Sequence, residues 1–408
     1  MSVPALIEPD VQFKKRLLEA GGDTLKKCFQ CGTCTVACSL SPDQDPFPRK
    51  ELLWAQWGLK DRLMADPDVW LCHQCNDCSQ LCPREADPGD VLAVIRQSVI
   101  EHHAIPGFLA RMIASPKWLP ILFAVPAALM LLVIWLTGGF SARPEGTSRF
   151  LADGIFSPYG GGFKAANFDL FFPHYPIVLF FGGLVGLALL GSLAGLVRYW
   201  KAMDSRLGRK RAEGNPSLVR CAIAAIQEIL IHKKFKKCEA TAKRYWGHLL
   251  LFYGFMVMFA TTALAFILYY TAGYPFGLFH PVKILGNTGG LVFLVGLVIV
   301  IVERLRPGKL APRSGYADWL FIVVIGMTVI TGVVCQIARL ANAPISAYTW
   351  YFIHLLFVFF LLVYLPYSKF AHLLYRTVAM TYCYYSGRET EAASGRGDQE
   401  AIEERPAA

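Results

Sequence analysis

Residues 28–38 read CFQCGTCTVAC and residues 72–83 read CHQCNDCSQLCP, so the spacing C-x2-C-x2-C-x3-C occurs twice. Eight of the 12 cysteines lie in these runs: Cys28, Cys31, Cys34 and Cys38, then Cys72, Cys75, Cys78 and Cys82, which Pro83 follows. Thiolates two residues apart can wrap one face of an iron–sulfur cubane on a tight turn, while the last of the run points away. This is the bacterial two-cluster [4Fe–4S] pattern, in which the fourth cysteine of each run ligates the other cluster. Cys28, Cys31, Cys34 and Cys82 are therefore expected on one cluster, and Cys72, Cys75, Cys78 and Cys38 on the other. Zinc is the rival ligand, but its sites usually arrive as separated C-x2-C pairs. Ser39 stands where the first run would carry a proline, which loosens that loop and removes no ligand.

The 33 residues between the runs include RKELLWAQWGLKDRLM (49–64), which has helical period. Residues 1–115 are thus expected to form a helical two-cluster ferredoxin domain rather than a compact β-containing one. Met1–Asp10 carries two acids, no basic segment and no apolar core, so it does not read as a signal peptide. The clusters are then expected in the reducing cytoplasm, where grouped cysteines bind metal rather than pair as disulfides. Cys221, Cys238, Cys335 and Cys383 are scattered and read as structural thiols.

Composition separates the rest of the chain. Of 408 residues, 54% are apolar and 17% charged, against roughly 45–50% and 25% in soluble domains. A purely soluble protein and a secreted disulfide scaffold are both excluded. The net charge is +10, but residues 1–118 hold 13 Lys/Arg against 15 Asp/Glu, and residues 119–408 hold 27 against 15. The soluble part is mildly acidic, which argues against nucleic-acid binding.

From Trp118 onward, uncharged runs alternate with charged loops. Runs at 118–142, 170–197, 246–270, 284–302, 319–338 and 340–368 give six expected crossings, each of about 20 apolar residues for a hydrocarbon core of about 30 Å. The sixth helix is expected to continue through Phe370–Met380. The loop 199–247 carries 12 Lys/Arg and 303–317 carries four, against three, none and one in the opposite loops. Positive charge stays inside, so the basic loops and both termini are expected on the cytoplasmic side of the inner membrane. Ser217–Lys237 reads as an amphipathic helix, either interfacial or a docking surface. The small, polar tail 386–408 is expected to be disordered. The fold class is therefore all-α: a helical ferredoxin domain, then a six-helix transmembrane cytochrome b bundle over 116–385.

Four histidines sit where that bundle would hold haem. His248 opens the third crossing, His280 opens the fourth, and His354 and His372 lie 18 residues apart on the sixth. On one continuous helix that separation is five turns, about 27 Å. The topology puts His248 and His372 near the inner face and His280 and His354 near the outer face, as two bis-histidine b-haems would require. The plainer alternative is a set of interface histidines that bond to neighbouring helices. His174 is a rival outer ligand, His232 reads as a surface residue, and Lys369 and Arg376 as propionate partners or snorkelling cations.

The cysteine runs resemble the small iron–sulfur subunit of heterodisulfide reductases. WGHLLLFYGF, HPVKILGNTGG and YFIHLLFVFFLLVYLPYSKFAHLLYR resemble the b-haem membrane subunit of that enzyme and of respiratory nitrate reductase. The fusion resembles the C subunit of the quinone-interacting membrane-bound oxidoreductase (Qmo) complex. That resemblance implies a quinone-linked oxidoreductase subunit with two [4Fe–4S] clusters, two b-haems and (mena)quinone. It also implies two soluble flavin/iron–sulfur partners and adenylylsulfate reductase in sulfur metabolism. No G-x-G-x-x-G opens a helix after a strand, so two-electron chemistry on a soluble substrate belongs to another chain. The rivals are a thiol–disulfide membrane subunit, a haem-free iron–sulfur anchor or sensor, and, more remotely, a transporter.

Overall fold

The computed structural model describes residues 7–42, 45–138, 156–159, 163–166, 168–207, 216–232, 234, 242–271, 276–306, 308, 313–341 and 343–388. The N-terminal part is built from α1 (Val11–Leu17), α2 (Thr33–Val36), α3 (Arg49–Gln56), α4 (Lys60–Met64), α5 (Asp77–Gln80), α6 (Pro88–His103) and α7 (Gly107–Ile113). The helical stretch 49–64 becomes two helices because Gly58 turns the chain at φ +68°, a conformation glycine takes without steric cost. The doubled cysteine motif is also a doubled structure. Gly32 and Asn76 are left-handed N-caps of α2 and α5, and Gln30 and Gln74 stand two residues earlier at φ 61° and 53°.

The chain then crosses into apolar helices. α8 (Leu119–Leu136) is followed by an antiparallel hairpin, β1 (Phe156–Tyr159) with β2 (Phe163–Ala166), and by α9 (Phe168–Phe171). After these come α10 (His174–Leu207), α11 (Leu218–Ile231), α12 (Ala242–Thr271), α13 (Pro281–Leu305), α14 (Tyr316–Leu340), α15 (Pro344–Val363) and α16 (His372–Ser386). Among the described residues, six helices are long and apolar enough to span a bilayer: α8, α10, α12, α13, α14 and α15. Among the described residues the architecture is all-helical apart from the hairpin. At 34 residues, α10 is about 51 Å long, so it overshoots a hydrocarbon core and carries Tyr199 and Met203 into the cysteine-bearing part. α12 and α13 approach through glycine: a Cβ on Gly254 would lie 2.6 Å from the Phe293 nitrogen, and one on Gly296 only 2.4 Å from the Leu251 nitrogen. Small residues let helix backbones meet this closely where lipid supplies no hydrophobic drive.

One expectation fails here. The sixth apolar helix does not continue to His372: α15 stops at Val363, and two short 3-10 turns, Leu365–Tyr367 and Lys369–Ala371, precede α16. Pro366 lacks the N–H a helix interior needs and disfavours helix in the residue before it. The Ser368 side chain then accepts from the Phe370 N–H and caps the next turn. His354 and His372 therefore sit on separate helices, and the five-turn argument does not hold. The amphipathic helix is also shorter than expected, ending at Ile231 with His232 left-handed behind it. Of the tail, Ser386–Arg388 are described, and 389–408 lie outside the described residues, as does Cys238.

A shared core joins the two parts. Leu52, Leu63, Trp70, Ile95 and Val99 pack with Tyr199 and Met203 of α10, Ala225 of α11, and Tyr375, Tyr382 and Tyr384 of α16. Trp70 stacks on Tyr375 at 5.5 Å between ring centres, and the Tyr199 hydroxyl donates to the Asp66 carbonyl at 2.9 Å. Arg388 reaches back to Asp68 at 2.6 Å, beside Lys50, which also pairs with Asp45 at 2.8 Å.

Candidate electron-transfer site

The thiols gather in two groups, each mixing the two runs. Burial pushes the Cys34 thiol up to about 11, and the neighbouring Cys28, Cys31 and Cys82 add to the rise. Cys38 is pushed up to about 12 by burial and then by Cys72 and Cys75. Cys78 is raised by burial and by Cys72, Cys75 and Cys38. The fourth cysteine of each run thus lies with the first three of the other. Thiols that resist ionisation singly and repel one another as thiolates suit a cationic metal centre, which deprotonates them on binding. Cys31 is exposed, and its thiol is lowered by hydrogen bonds from Thr33. The Gln74 N–H donates to Cys72 Sγ at 3.2 Å, and Gln30 Nε2 to Cys28 Sγ at 3.5 Å.

The Cys72–Gln74 loop roofs a cavity of about 300 Å³ at the cysteine-bearing end of the apolar bundle, and His248 and His372 both line it. Cations tie the roof down. Arg376 of α16 donates to His73 Nε2 at 2.6 Å, Arg244 of α12 to the Gln74 carbonyl at 2.7 Å, and Arg96 of α6 to the Val69 carbonyl at 3.1 Å. Lys369 pairs with Asp318 at the same cavity. His372 Nδ1 stands 2.7 Å from the Lys369 carbonyl. A carbonyl only accepts, so Nδ1 carries the proton and Nε2 keeps its lone pair, the arrangement a metal-ligating histidine takes. Burial holds the His372 imidazole down to about 4, so it is neutral at pH 7. Phe252, Phe255, Phe293 and Phe321 supply apolar walls. The donor set fits a bis-histidine haem with arginines for its carboxylates.

The other two histidines are arranged differently. His354 Nδ1 lies 3.2 Å from Thr331 Oγ1; that hydroxyl donates to the Met327 carbonyl, so it accepts from His354 and leaves Nε2 as the lone-pair nitrogen. Gly332 makes room for the ring, since a Cβ there would lie 3.2 Å from His354 Cε1. His280 caps α13, its Nδ1 accepting from the Val282 N–H at 3.3 Å, and its ring stacks on Phe276 at 4.6 Å. No hydrogen bond or ring contact joins His280 to His354 among the described residues. His174 stacks on Tyr269 at 3.8 Å and bonds to the Tyr270 hydroxyl at 2.7 Å. The structure brings His248 and His372 to one cavity and holds His280, His354 and His174 in separate surroundings.

Two comparisons with known proteins divide the chain as its geometry does. Residues 163–393 match the family described as Citrate utilization protein B. The chain belongs to that family. Residues 24–86 match the 4Fe–4S dicluster domain, so the N-terminal part is an iron–sulfur domain, and all eight motif cysteines fall within it. The citrate utilization protein B of Escherichia coli is 28% identical over 96% of this chain and 97% of its own length. The C subunit of the H(2):CoB-CoM heterodisulfide,ferredoxin reductase of Methanothermobacter marburgensis is 38% identical over 25% of this chain and 52% of its own length. A protein of Archaeoglobus profundus, described as like the C subunit of heterodisulfide reductase, is 35% identical over 24% and 54%. The chain thus spans about half the length of these iron–sulfur relatives. No solved structure matches it. The likeness to heterodisulfide reductase subunits covers the cysteine-bearing part alone, and the family match covers α10–α16 with His248, His280, His354 and His372.

Two site residues escape a reading of the sequence. His232, which reads as a surface residue, is buried, with its ring 5.3 Å from His248 and its Nδ1 2.9 Å from the Leu230 carbonyl. It is the left-handed C-cap of α11, and only that helix's docking on α16 brings it inward. His73 belongs by sequence to the soluble part, yet it is the contact between the second cysteine loop and Arg376. Burial and then Arg376 hold it well below the ordinary imidazole range. Its position directly after Cys72 is the available signal.

Proposed function

We propose that the chain is the membrane electron-transfer subunit of a quinone-linked oxidoreductase, with a cytoplasmic cluster domain over 1–115 and a haem domain over 116–385. Cys28, Cys31, Cys34 and Cys82 would hold one [4Fe–4S] cluster, and Cys72, Cys75, Cys78 and Cys38 the other. His248 with His372 would hold one b-type haem; a second, on His280 with His354, rests on the matched depths read from the sequence, and would require His280 to give up the hydrogen bond its Nδ1 accepts from the Val282 N–H. Bound there, these groups would pass single electrons between (mena)quinone in the bilayer and soluble flavin/iron–sulfur partners, in either direction. The observation that carries the reading is the cavity under the second cysteine loop: His232, His248 and His372, apolar walls and arginines line it together with His73 of that loop. Arg376 and Arg244 brace the loop against the bundle, and the buried neutral His372 offers Nε2 to the cavity. The loop charges support an inner-membrane location with both termini in the cytoplasm.

The soluble end has three readings. Adenylylsulfate reductase rests on the resemblance to Qmo alone, whereas the relative that matches nearly end to end is named for citrate utilization, which favours a partner acting on a carboxylic acid. The heterodisulfide likeness of the N-terminal quarter favours a thiol–disulfide partner instead. A pyridine haemochrome assay with iron determination on the purified chain tests the relay. About two b-haems and about eight non-haem irons per chain are expected; irons without haem would leave an iron–sulfur anchor or sensor and overturn it.

A further inference from the structure

α11 is apolar on two opposite sides, and this chain covers only one of them. Cys221 and Ala225 are buried in the core shared with the cysteine-bearing part. Glu228 faces the same way, bonded to the Tyr384 hydroxyl and paired with Lys234 at 3.2 Å. Val219, Ile223, Ile226 and Leu230 follow one another at steps of four, three and four, which sets them on one face. They are 66%, 50%, 46% and 39% exposed, about half a turn of helix from Cys221 and Ala225. A helix that is apolar all round is buried all round, so something outside this chain covers the second face.

The end of α11 shows at what depth that face lies. The Tyr253 hydroxyl donates to the Leu230 carbonyl at 2.7 Å, and the His232 ring lies 5.3 Å from that of His248 and 5.0 Å from that of Phe252. His248 and Phe252 are about one and two turns inside the apolar span Arg244–Thr271. Along that span, Trp246, Tyr253, Leu264 and Ile267 are exposed and share a helix face. Tyr253 therefore joins the outer surface of α12 to the end of the exposed face of α11. Arg220 and Gln227, seven residues apart, are exposed along one flank of α11. The segment 199–247 carries 12 Lys/Arg against four Asp/Glu.

We propose that the Val219–Ile223–Ile226–Leu230 face is seated in the inner leaflet of the bilayer, among anionic phospholipids. The inference rests on the membrane reading above and adds that the connection from α10 to α12 lies in the leaflet rather than in the cytoplasm. An apolar face with cationic flanks is what holds an in-plane helix on an anionic surface. A soluble partner would have to reach below the headgroups to cover Leu230 beside Tyr253. A second copy of the chain would set the basic segment against its own equivalent.

The test places a photo-crosslinking benzoylphenylalanine at Ile223 or Ile226 in the full chain in its native membrane. Leu264 of α12 serves as the lipid control and the 70% exposed Val11 as the aqueous one. Irradiation should attach phospholipid at Ile223, Ile226 and Leu264, read by mass spectrometry, and none at Val11. In nanodiscs of phosphatidylcholine alone, the yield at Ile226 should fall at least about fivefold relative to discs containing phosphatidylglycerol, the worth of one cation at an anionic surface, while Leu264 should not change. Protein adducts or no adduct at Ile223 and Ile226, with lipid still attached at Leu264, would overturn the proposal and leave the membrane span standing. Equal yields at Ile226 in the two kinds of disc would also overturn it. Absence of lipid at Leu264 as well would refute the membrane reading itself.

Discussion

Gly296 of α13 offers a direct test of how His248 is held. A Cβ at this position would lie 2.4 Å from the Leu251 nitrogen, 2.8 Å from the Gly247 carbonyl oxygen and 2.9 Å from Leu250 Cβ, whereas ordinary contact begins at 3.4 Å. Gly296→Leu therefore forces α12 and α13 apart by about 1 Å or more, and overpacking of this kind costs about 1–3 kcal/mol. That is roughly a 5- to 150-fold loss in the population of the native packing. Gly247, which the new side chain would strike, directly precedes His248. Metal–ligand distances tolerate only about 0.2 Å, so a displacement of α12 by about 1 Å should separate His248 from anything shared with His372. The expected result is a fall from about two b-haems to about one, measured by pyridine haemochrome, with iron–sulfur EPR unchanged; Gly296→Ala should show a partial loss. Gly183→Ala, where a Cβ meets nothing within 4 Å, should keep both haems. Wild-type haem content in Gly296→Leu would refute the reasoning, because the helix contact would then not fix His248.

Further outcomes follow from other parts of the site. His354→Ala should remove one haem and leave the iron–sulfur EPR intact; loss of both haems with the clusters would mean a folding role. Cys82→Ser should lose about four irons, adding Cys31→Ser should lose no more, and adding Cys75→Ser should lose the remaining four; additive loss from the first pair would break the crossed ligand assignment. His103 is buried, with Nε2 2.9 Å from the Met64 carbonyl, and burial holds it down to about 4 against an ordinary 6.5. Because the unfolded chain binds the proton more readily, stability should fall as pH drops from 6.5 towards 4, by up to about 3 kcal/mol. Limited proteolysis across that range should show a flatter pH dependence in His103→Asn, and an unchanged slope would remove His103 as the cause.

Spacing makes the cysteine groups readable, since chain chemistry alone brings three thiols of each run together and the doubled motif leaves the fourth to cross over. The six apolar helices are readable because a bilayer demands length and apolarity from each segment separately. What sequence does not supply is contact between segments. His232 looks solvated beside HKKFKK, and only the docking of α11 against α16, with Tyr384 bonded to Glu228, turns it towards His248. Arg376 looks like an interface cation, yet its partners Leu71 and His73 lie 305 and 303 positions away in the chain. The expectation of one unbroken sixth helix fails because Lys369, Phe370 and Ala371 keep helical spacing, while Pro366 and Ser368 reset the backbone between them and α15.

That break has a physical consequence in the packing. Continued straight from α15, the 372–386 segment would keep the direction of an apolar bundle helix, but its tyrosines pack elsewhere. Tyr375 stacks on Trp70, the Tyr382 hydroxyl donates to the Met203 carbonyl at 3.3 Å, and Tyr384 lies in the core shared with the cysteine-bearing part. The two 3-10 turns let α16 leave the bundle and enter that core. They also present the Lys369 carbonyl to His372 Nδ1, so the element that redirects the chain is the one that orients the imidazole. One turn further on, Arg376 meets the cysteine loop from the same helix. α16 is therefore the mechanical link between the cavity and the cysteine-bearing part. Its N-terminus faces the cavity and its tyrosine face is buried among helices of that part, so the spacing between cavity and cysteine loop is set by a rigid element rather than by a linker.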